Sequence, residues 1–375
     1  MFKSYIDMNL LEKSYSGKKV LITGHTGFKG TWLTTWLHAL GADVYGISCD
    51  IPTSPSMFEV LKLEEKIHHY QMDIRDYDAL SEVIREVKPD FVFHLAAQAI
   101  VSKSYANPRE TLTTNIVGTM NVLEALRQLN FPCVAVIITS DKCYDNVEWV
   151  YGYKETDALG GKDIYSGSKG AAELVFKSYY HSFFKSERSN VRIVSVRAGN
   201  VIGGGDWALD RIVPDCMRSW SENKIVEIRS PFATRPWQHV LEPLSGYLNV
   251  GAALLEDSSL NGESFNFGPK AEVSKTVKEL LEDLSVCWKY TSPMEAYTIT
   301  DQVKFHEAGL LKLNCDKALF YLKWHSALDY KQLLHFTGNW YYNYYKNPID
   351  MLEYTQQQIN EYTQVAHNKG IKWAR

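Results

Sequence analysis

Apolar residues along this chain gather into short runs separated by stretches of helical spacing, and the alternation starts near the N-terminus. Lys18 to Gly24 (KKVLITG) predicts a strand, Phe28 to Leu40 an amphipathic helix ended by Gly41, and Asp43 to Cys49 a second strand. The pattern repeats. Residues 67–72 predict a third strand leading to Asp73, residues 77–87 a helix closed before Pro89, and Phe91 to Leu95 a fourth strand. A long helix from Pro108 to Leu129, a fifth strand from Cys133 to Ile138 (CVAVII), a helix from Ser166 through Phe184 and a sixth strand from Val191 to Val196 complete the series. Strands this apolar, alternating with helices, predict an α/β fold: a Rossmann-like, doubly wound parallel sheet. Right-handed crossovers then bring the strand C-termini, at Gly24, Asp50, Asp73, Leu95, Ser140 and Arg197, to one edge, where ligands bind.

After Gly203 the regular alternation loosens. Residues 1–202 are expected to form the dinucleotide-binding domain and carry the catalytic residues. Residues 203–375 are expected to form mainly a smaller, mixed substrate lobe ending in a helical appendage, with a soft boundary that the chain can recross. The tract from Tyr341 to Arg375 reads as packing.

Composition narrows the functional classes. The 375 residues are 45% hydrophobic and 22% charged, enough for a large core, and a net charge of −4 disfavours nucleic acid. Six cysteines without C-x-x-C spacing argue against a zinc site or a secreted disulfide scaffold, and no metal is expected. No apolar run reaches membrane-spanning length and Met1 to Lys19 lacks a signal-peptide core, so a cytoplasmic protein without a membrane partner is expected.

The chemistry-bearing motifs fall on the predicted ligand edge. Gly24-His25-Thr26-Gly27-Phe28-Lys29-Gly30 follows a strand and opens a helix, where a glycine turn lets a pyrophosphate meet backbone N–H groups. Asp50, at the next strand end, suits the hydroxyls of an adenosine ribose and repels a 2′-phosphate, which favours NAD over NADP. Tyr165 and Lys169 share one helical face; a fixed ammonium beside a phenol lowers its pKa and equips it to take a proton from a sugar hydroxyl. A structural ion pair remains an alternative for Asp141-Lys142, and a surface position for His239.

The G-x-x-G-x-x-G spacing resembles the short-chain dehydrogenase/reductase superfamily. Together with PTSPSMFE at 52–59, HLAAQ at 94–98, ITSDKCY at 138–144, YSGSKG at 165–170, RAGNVIGGGDW at 197–207, RPWQHVLEP at 235–243 and EAGLLKLNCDKA at 307–318, it looks like the CDP-glucose 4,6-dehydratase family of extended short-chain dehydrogenases. The resemblance implies that Gly24, Thr26, Gly27, Phe28, Lys29, Gly30, Asp50, Asp73, Ile74, Leu95, Ala96, Ala97, Gln98, Tyr165 and Lys169 hold NAD. It implies Tyr165, poised by Lys169, as base at the C4 hydroxyl, Ser140 as its hydrogen-bonding partner there, Asp141 as acid at C6 and Lys142 as base at C5. A lysine at that last position departs from the glutamate of dTDP-glucose dehydratases. Asn200, Arg235 and His239 would join Ser140 in holding CDP-glucose, and a homodimer would form through the helices beginning near Pro108 and Tyr165. The expected reaction is a redox-neutral dehydration giving CDP-4-dehydro-6-deoxy-glucose for deoxysugar synthesis. Two alternatives stand beside it: a dehydratase or 4-epimerase for another nucleoside diphosphate sugar, and a non-catalytic NAD-binding regulator.

Overall fold

The computed structural model describes residues 9–375, except 229, 271–274, 291, 293–294 and 301–309. Residues 307–309, which open the EAGLLKLNCDKA motif, and residues 1–8 of the Met1 to Lys19 stretch lie outside the described residues. All six expected strands form: β1 Lys19–Thr23, β2 Asp43–Ser48, β3 His68–Gln71, β4 Phe91–His94, β5 Cys133–Ile138 and β6 Val191–Ala198. A seventh, Ser264–Phe267, pairs in parallel with β6 and was not expected. The sheet runs Ser264–Phe267, β6, β5, β4, β1, β2, β3, parallel throughout.

Alternate residues of each central strand feed opposite cores, as the pleat requires. Val20 and Ile22 face the helix Phe28–Ala39 with Trp32, Trp36 and Leu37, while Leu21 faces Leu80, Ile84, Val122 and Leu126 on the other side. Both faces are covered, which is why the strands read as continuous apolar runs.

The chain after residue 202 builds both lobe and body. Helix Leu241–Glu256 lies on the face shared with Trp32, and Ser264–Phe267 extends the sheet. Helix Met351–Asn368 packs back on helix Phe28–Ala39, with Trp36 5.7 Å from Tyr362 and 5.9 Å from Trp373 in the turn that follows, while helix Tyr330–Lys346 packs between Met351–Asn368 and Val277–Cys287. Tyr341 donates to the Asp206 carbonyl at 2.5 Å and accepts from its N–H at 3.1 Å. The two long expected helices each contain a π turn: Thr113–Gly118 lies between Pro108–Leu112 and Thr119–Arg127, and Tyr180–Phe184 follows Ile164–Tyr179.

Candidate active site

A cleft of about 1450 Å³ opens along the C-terminal strand edge, where the parallel topology puts it. Its lining includes the expected residues of the glycine turn, Asp50, Asp73, Ile74, residues 95–98, Ser140, Asp141, Lys142, Tyr165, Lys169, Asn200 and Arg235. The glycine turn is shaped for close approach. Gly24 has φ +78°, and a Cβ there would fall 2.7 Å from the Ala96 nitrogen; one on Gly30 would fall 2.1 Å from the Gly24 carbonyl. Thr26 Oγ1 donates to the Asp50 carbonyl at 2.7 Å, joining the turn to the end of β2. Arg75 holds the Asp73 carboxylate from two nitrogens and keeps its pKa low. Gln98 is tied to Asn115 and Thr111 at 2.8 Å each, and Asn115, in the π turn, donates to Ser168 at 2.8 Å.

Two elements carry the reactive set. β5 ends at Ile138 and a short 3₁₀ turn, Asp141–Cys143, follows, capped by the Ser140 hydroxyl, which accepts from the Lys142 N–H at 3.2 Å and donates to Asp141 Oδ1 at 2.9 Å. Helix Ile164–Tyr179 starts opposite, its N-cap Asp163 accepting from the Ser166 N–H at 3.0 Å, and brings Tyr165 within hydrogen-bonding reach of Ser140. Asp141 is pushed up by burial, against the opposing pull of Lys142, the Ser140 hydrogen bond and Lys29, so it holds its proton more readily than an exposed carboxyl.

The expected lowering of Tyr165 by Lys169 does not appear. Burial pushes the phenol up to about 12, opposed by the Ser140 hydrogen bond and by Arg211, and reinforced by the Asp141 charge. Burial also brings Lys169 down to about 8. Spacing put the two side chains together; desolvation, which spacing does not reveal, sets their proton affinities.

His239, expected at the nucleotide, does not line the cleft and is not a surface residue. It is buried, 5.7 Å from Trp32 and 5.5 Å from Phe336, and Nδ1 accepts from the Leu241 N–H at 3.3 Å where helix Leu241–Glu256 begins. Burial lowers its pKa to about 3 and keeps the ring neutral. Trp207 is buried and lines the cleft, its indole donating to Tyr345 at 2.9 Å.

Arg211 is a cleft residue that the sequence reading missed. It pairs with Asp206 at 2.8 Å, and its charge reaches Tyr165 and Lys29. Lys29 is half-buried and brought down to about 8 by burial, with Asp141 opposing and Arg211 and Lys169 reinforcing. Lys142 and Lys29 act on Asp141, and Lys29 in turn feels Arg211 and Lys169, so four cations line this part of the cleft in a chain of net charge −4. The signal for Arg211 was its place at the start of a helix just after GGGDW. Among the described residues no cluster of His, Cys, Asp or Glu is arranged to hold a metal, and no helix is long and apolar enough to cross a membrane.

A Rossmann sheet with a glycine turn and a Ser–Tyr–Lys set at its C-terminal edge is the architecture of nucleotide-sugar-modifying dehydrogenase-fold proteins, and residues 21–336 match the model of the GDP-mannose 4,6 dehydratase family, to which this chain belongs. Within it the chain is 44% identical to the CDP-glucose 4,6-dehydratase of Salmonella typhimurium over 357 residues, covering 94% of this chain and 98% of that protein. Solved structures share the fold. An epimerase from Methanothermobacter thermautotrophicus superposes with a TM-score of 0.74 at 23% identity, covering 92% of this chain and 96% of that one. The dTDP-glucose 4,6-dehydratase from Bacillus anthracis, in complex with NAD, gives 0.70 at 19% identity, covering 90% and 100%.

Proposed function

We propose that this chain is an NAD-dependent hydro-lyase that converts CDP-glucose to CDP-4-dehydro-6-deoxy-glucose. The observation that carries the reading is Asp141: a buried carboxyl whose proton affinity is raised by burial, hydrogen-bonded to Ser140, in the same cleft as Tyr165. A 4-epimerase has no step that needs such an acid.

The residues fit a dinucleotide. Gly24 and Gly30 let the turn fold tightly against residues 95–96 and onto itself at the helix N-terminus on the cleft wall, Asp50 stands just past the β2 end for a ribose, and the cleft exceeds the roughly 300–1000 Å³ of a single-ligand pocket. Thr26 and Gly27 to Gly30 would hold the pyrophosphate, and Asp73-Ile74 and Leu95 to Gln98 would flank the adenosine and the cofactor's path. NAD supplies a hydride acceptor and donor, so that the net redox change is zero.

The chain's own groups handle the protons. Tyr165 takes the proton of the C4 hydroxyl while Ser140 hydrogen-bonds the same oxygen. An acidic, neutral Asp141 withdraws one of the charges that hold Tyr165 high, so the acid being loaded and the base being freed are coupled favourably. Lys142 removes the C5 proton, acidified by the C4 carbonyl, while Asp141 protonates the C6 hydroxyl as it leaves as water, and Lys142 gives its proton back to C5 once C6 has been reduced. Asn200 and Arg235, with the cationic pocket, hold the diphosphate.

The test is a panel of CDP-, dTDP-, GDP- and UDP-hexoses incubated with protein and NAD and scored by the alkali-induced absorbance of the 4-keto product. CDP-glucose is expected to give the highest kcat/KM. No such product from any of them removes the dehydratase reading. Asp141→Asn with unimpaired turnover favours an epimerase, and absence of any NADH transient in a single turnover favours a regulator.

A homodimer is part of the same reading. Leu112, Val117, Met120 and Leu174 leave apolar side chains exposed on the adjacent long helices, a face suited to a two-fold four-helix contact. Leu174→Glu is expected to halve the sedimenting mass.

A further inference from the structure

Four residues beyond Lys169, on the same helical face, stands Glu173, with no exposed surface. Its carboxylate gathers donors from two strands. Thr139 Oγ1 at 2.5 Å and Arg197 Nε at 2.9 Å reach Oε1, while Arg197 Nη2 at 2.7 Å and Ser195 Oγ at 3.0 Å reach Oε2. Arg197, also fully buried, extends the lock by donating from Nη1 to Tyr144 Oη at 2.7 Å and to the Glu155 carbonyl at 3.2 Å. Tyr144 passes it on to Asn266 at 2.8 Å.

Each strand or turn held in this way ends in a residue of the cleft. Thr139 precedes Ser140 and Asp141, Tyr144 closes the turn that carries Lys142, and Arg197 lies three residues before Asn200. A buried ion pair is poor evidence of stability, since apolar groups of the same volume often hold a fold as well. What a bidentate fork adds is direction: two parallel N–H bonds fix both the rotation and the height of the helix against the strands. Catalysis is sensitive to such placement at the level of about 1 Å.

We propose that Glu173, locked by Arg197, is a positioning residue for the dehydration, fixing the Tyr165–Lys169 helix against the strand ends that carry Ser140, Asp141 and Asn200. The role rests on the dehydratase reading above. Its anion also reaches Lys169 and opposes the loss of that ammonium's proton in the buried site. The Arg197 charge and the four hydroxyl and guanidinium hydrogen bonds keep Glu173 itself ionised against its burial.

Three variants test the role: Glu173→Gln, Glu173→Asp and Thr139→Val, each assayed as full-length protein with NAD and CDP-glucose. Glu173→Gln is expected to lower kcat about 30- to 100-fold while KM stays within about threefold, the signature of a lost transition-state arrangement. The alkaline limb of its kcat profile moves to lower pH, because Lys169 loses the neighbouring anion. Glu173→Asp restores most of kcat. Thr139→Val removes the hydroxyl shared between Glu173 and the Val196 carbonyl but no charge, so it keeps the fold and lowers kcat roughly three- to tenfold. Wild-type kcat with an unmoved limb in Glu173→Gln overturns the role, as does a fall in kcat that follows melting temperature alone. Should Glu173→Gln not fold, wild-type kcat in Thr139→Val overturns it. The pH dependence of Lys169 acylation, followed by peptide mass spectrometry, supplies a readout that needs no substrate. A shift to lower pH in Glu173→Gln supports the Glu173–Lys169 coupling even if the wild type yields no 4-keto sugar, an outcome that would sink the dehydratase reading alone.

Discussion

Glu173 lies under the catalytic edge and Glu242 where the C-terminal helices dock on the body, and the two buried glutamates respond to burial in opposite ways. Glu173 faces a guanidinium and stays ionised. Glu242 is met by the N–H groups of Ala327 at 2.9 Å and Leu328 at 2.6 Å and by the Tyr362 hydroxyl at 2.8 Å. Burial still brings it up to about 7, with those donors opposing. Neutral dipoles soften desolvation, whereas a cation in bidentate contact reverses it. Asp141 behaves like Glu242, because Lys142 and Lys29 reach it through space without a guanidinium fork on its carboxylate. What separates these two up-shifted carboxyls is access, since Asp141 lines the cleft and Glu242 does not.

That contrast can be broken in order of expected effect. Asp141→Asn removes the exchangeable proton without changing shape, and kcat should fall about 10²- to 10⁴-fold, read from the 4-keto product. Retained kcat would make Asp141 another Glu242. Arg197→Met takes the cation from Glu173 and should cost about 3–5 kcal/mol of stability in urea unfolding, as a stranded buried charge does. A loss below about 1 kcal/mol would mean that the hydroxyl donors suffice. Glu242 gives a linkage effect of the opposite sign to an ordinary carboxylate. Its native pKa of about 7 lies above the unfolded one, so the native state binds more protons between the two values and stability falls as pH rises through that window. About 3 kcal/mol should disappear between roughly pH 4.5 and 7, and Glu242→Gln should flatten that slope, measured by urea midpoints at stepped pH. Tyr144→Phe breaks only the Arg197–Asn266 link and should cost about 1 kcal/mol by the same assay.

The sheet was legible because its strands are apolar on both faces. KKVLIT, FVFH and CVAVII have no other reading between helices, and the glycine turn announced itself by lying between a strand and a helix. The seventh strand was not legible: SFNF is four residues long and is recruited by β6 across nearly seventy residues of lobe. In the site, Tyr165 and Lys169 were placed by their spacing and Ser140 to Lys142 by their strand end. The proton affinity of Tyr165 was misjudged because it depends on burial, which only the assembled lobes create. His239 is held in the core, off the cleft wall, by the helix that starts two residues later and whose Leu241 N–H its ring nitrogen accepts. Glu173 stands at the same four-residue spacing beyond Tyr165 and Lys169, but spacing alone does not single it out, because its partner Arg197 lies on a strand twenty-four residues on.

The late arrival of Ser264–Phe267 bears on synthesis and on engineering. A nascent chain that has emerged only as far as β6 presents that strand as a bare edge, open to pairing with other chains, until the ribosome has delivered residue 267. A gene fusion or recombination cut at residue 202 would leave the same edge permanently bare. Exchanges intended to retune this protein for another sugar nucleotide are better confined to the insert between β6 and helix Leu241–Glu256, which can be replaced without severing the sheet.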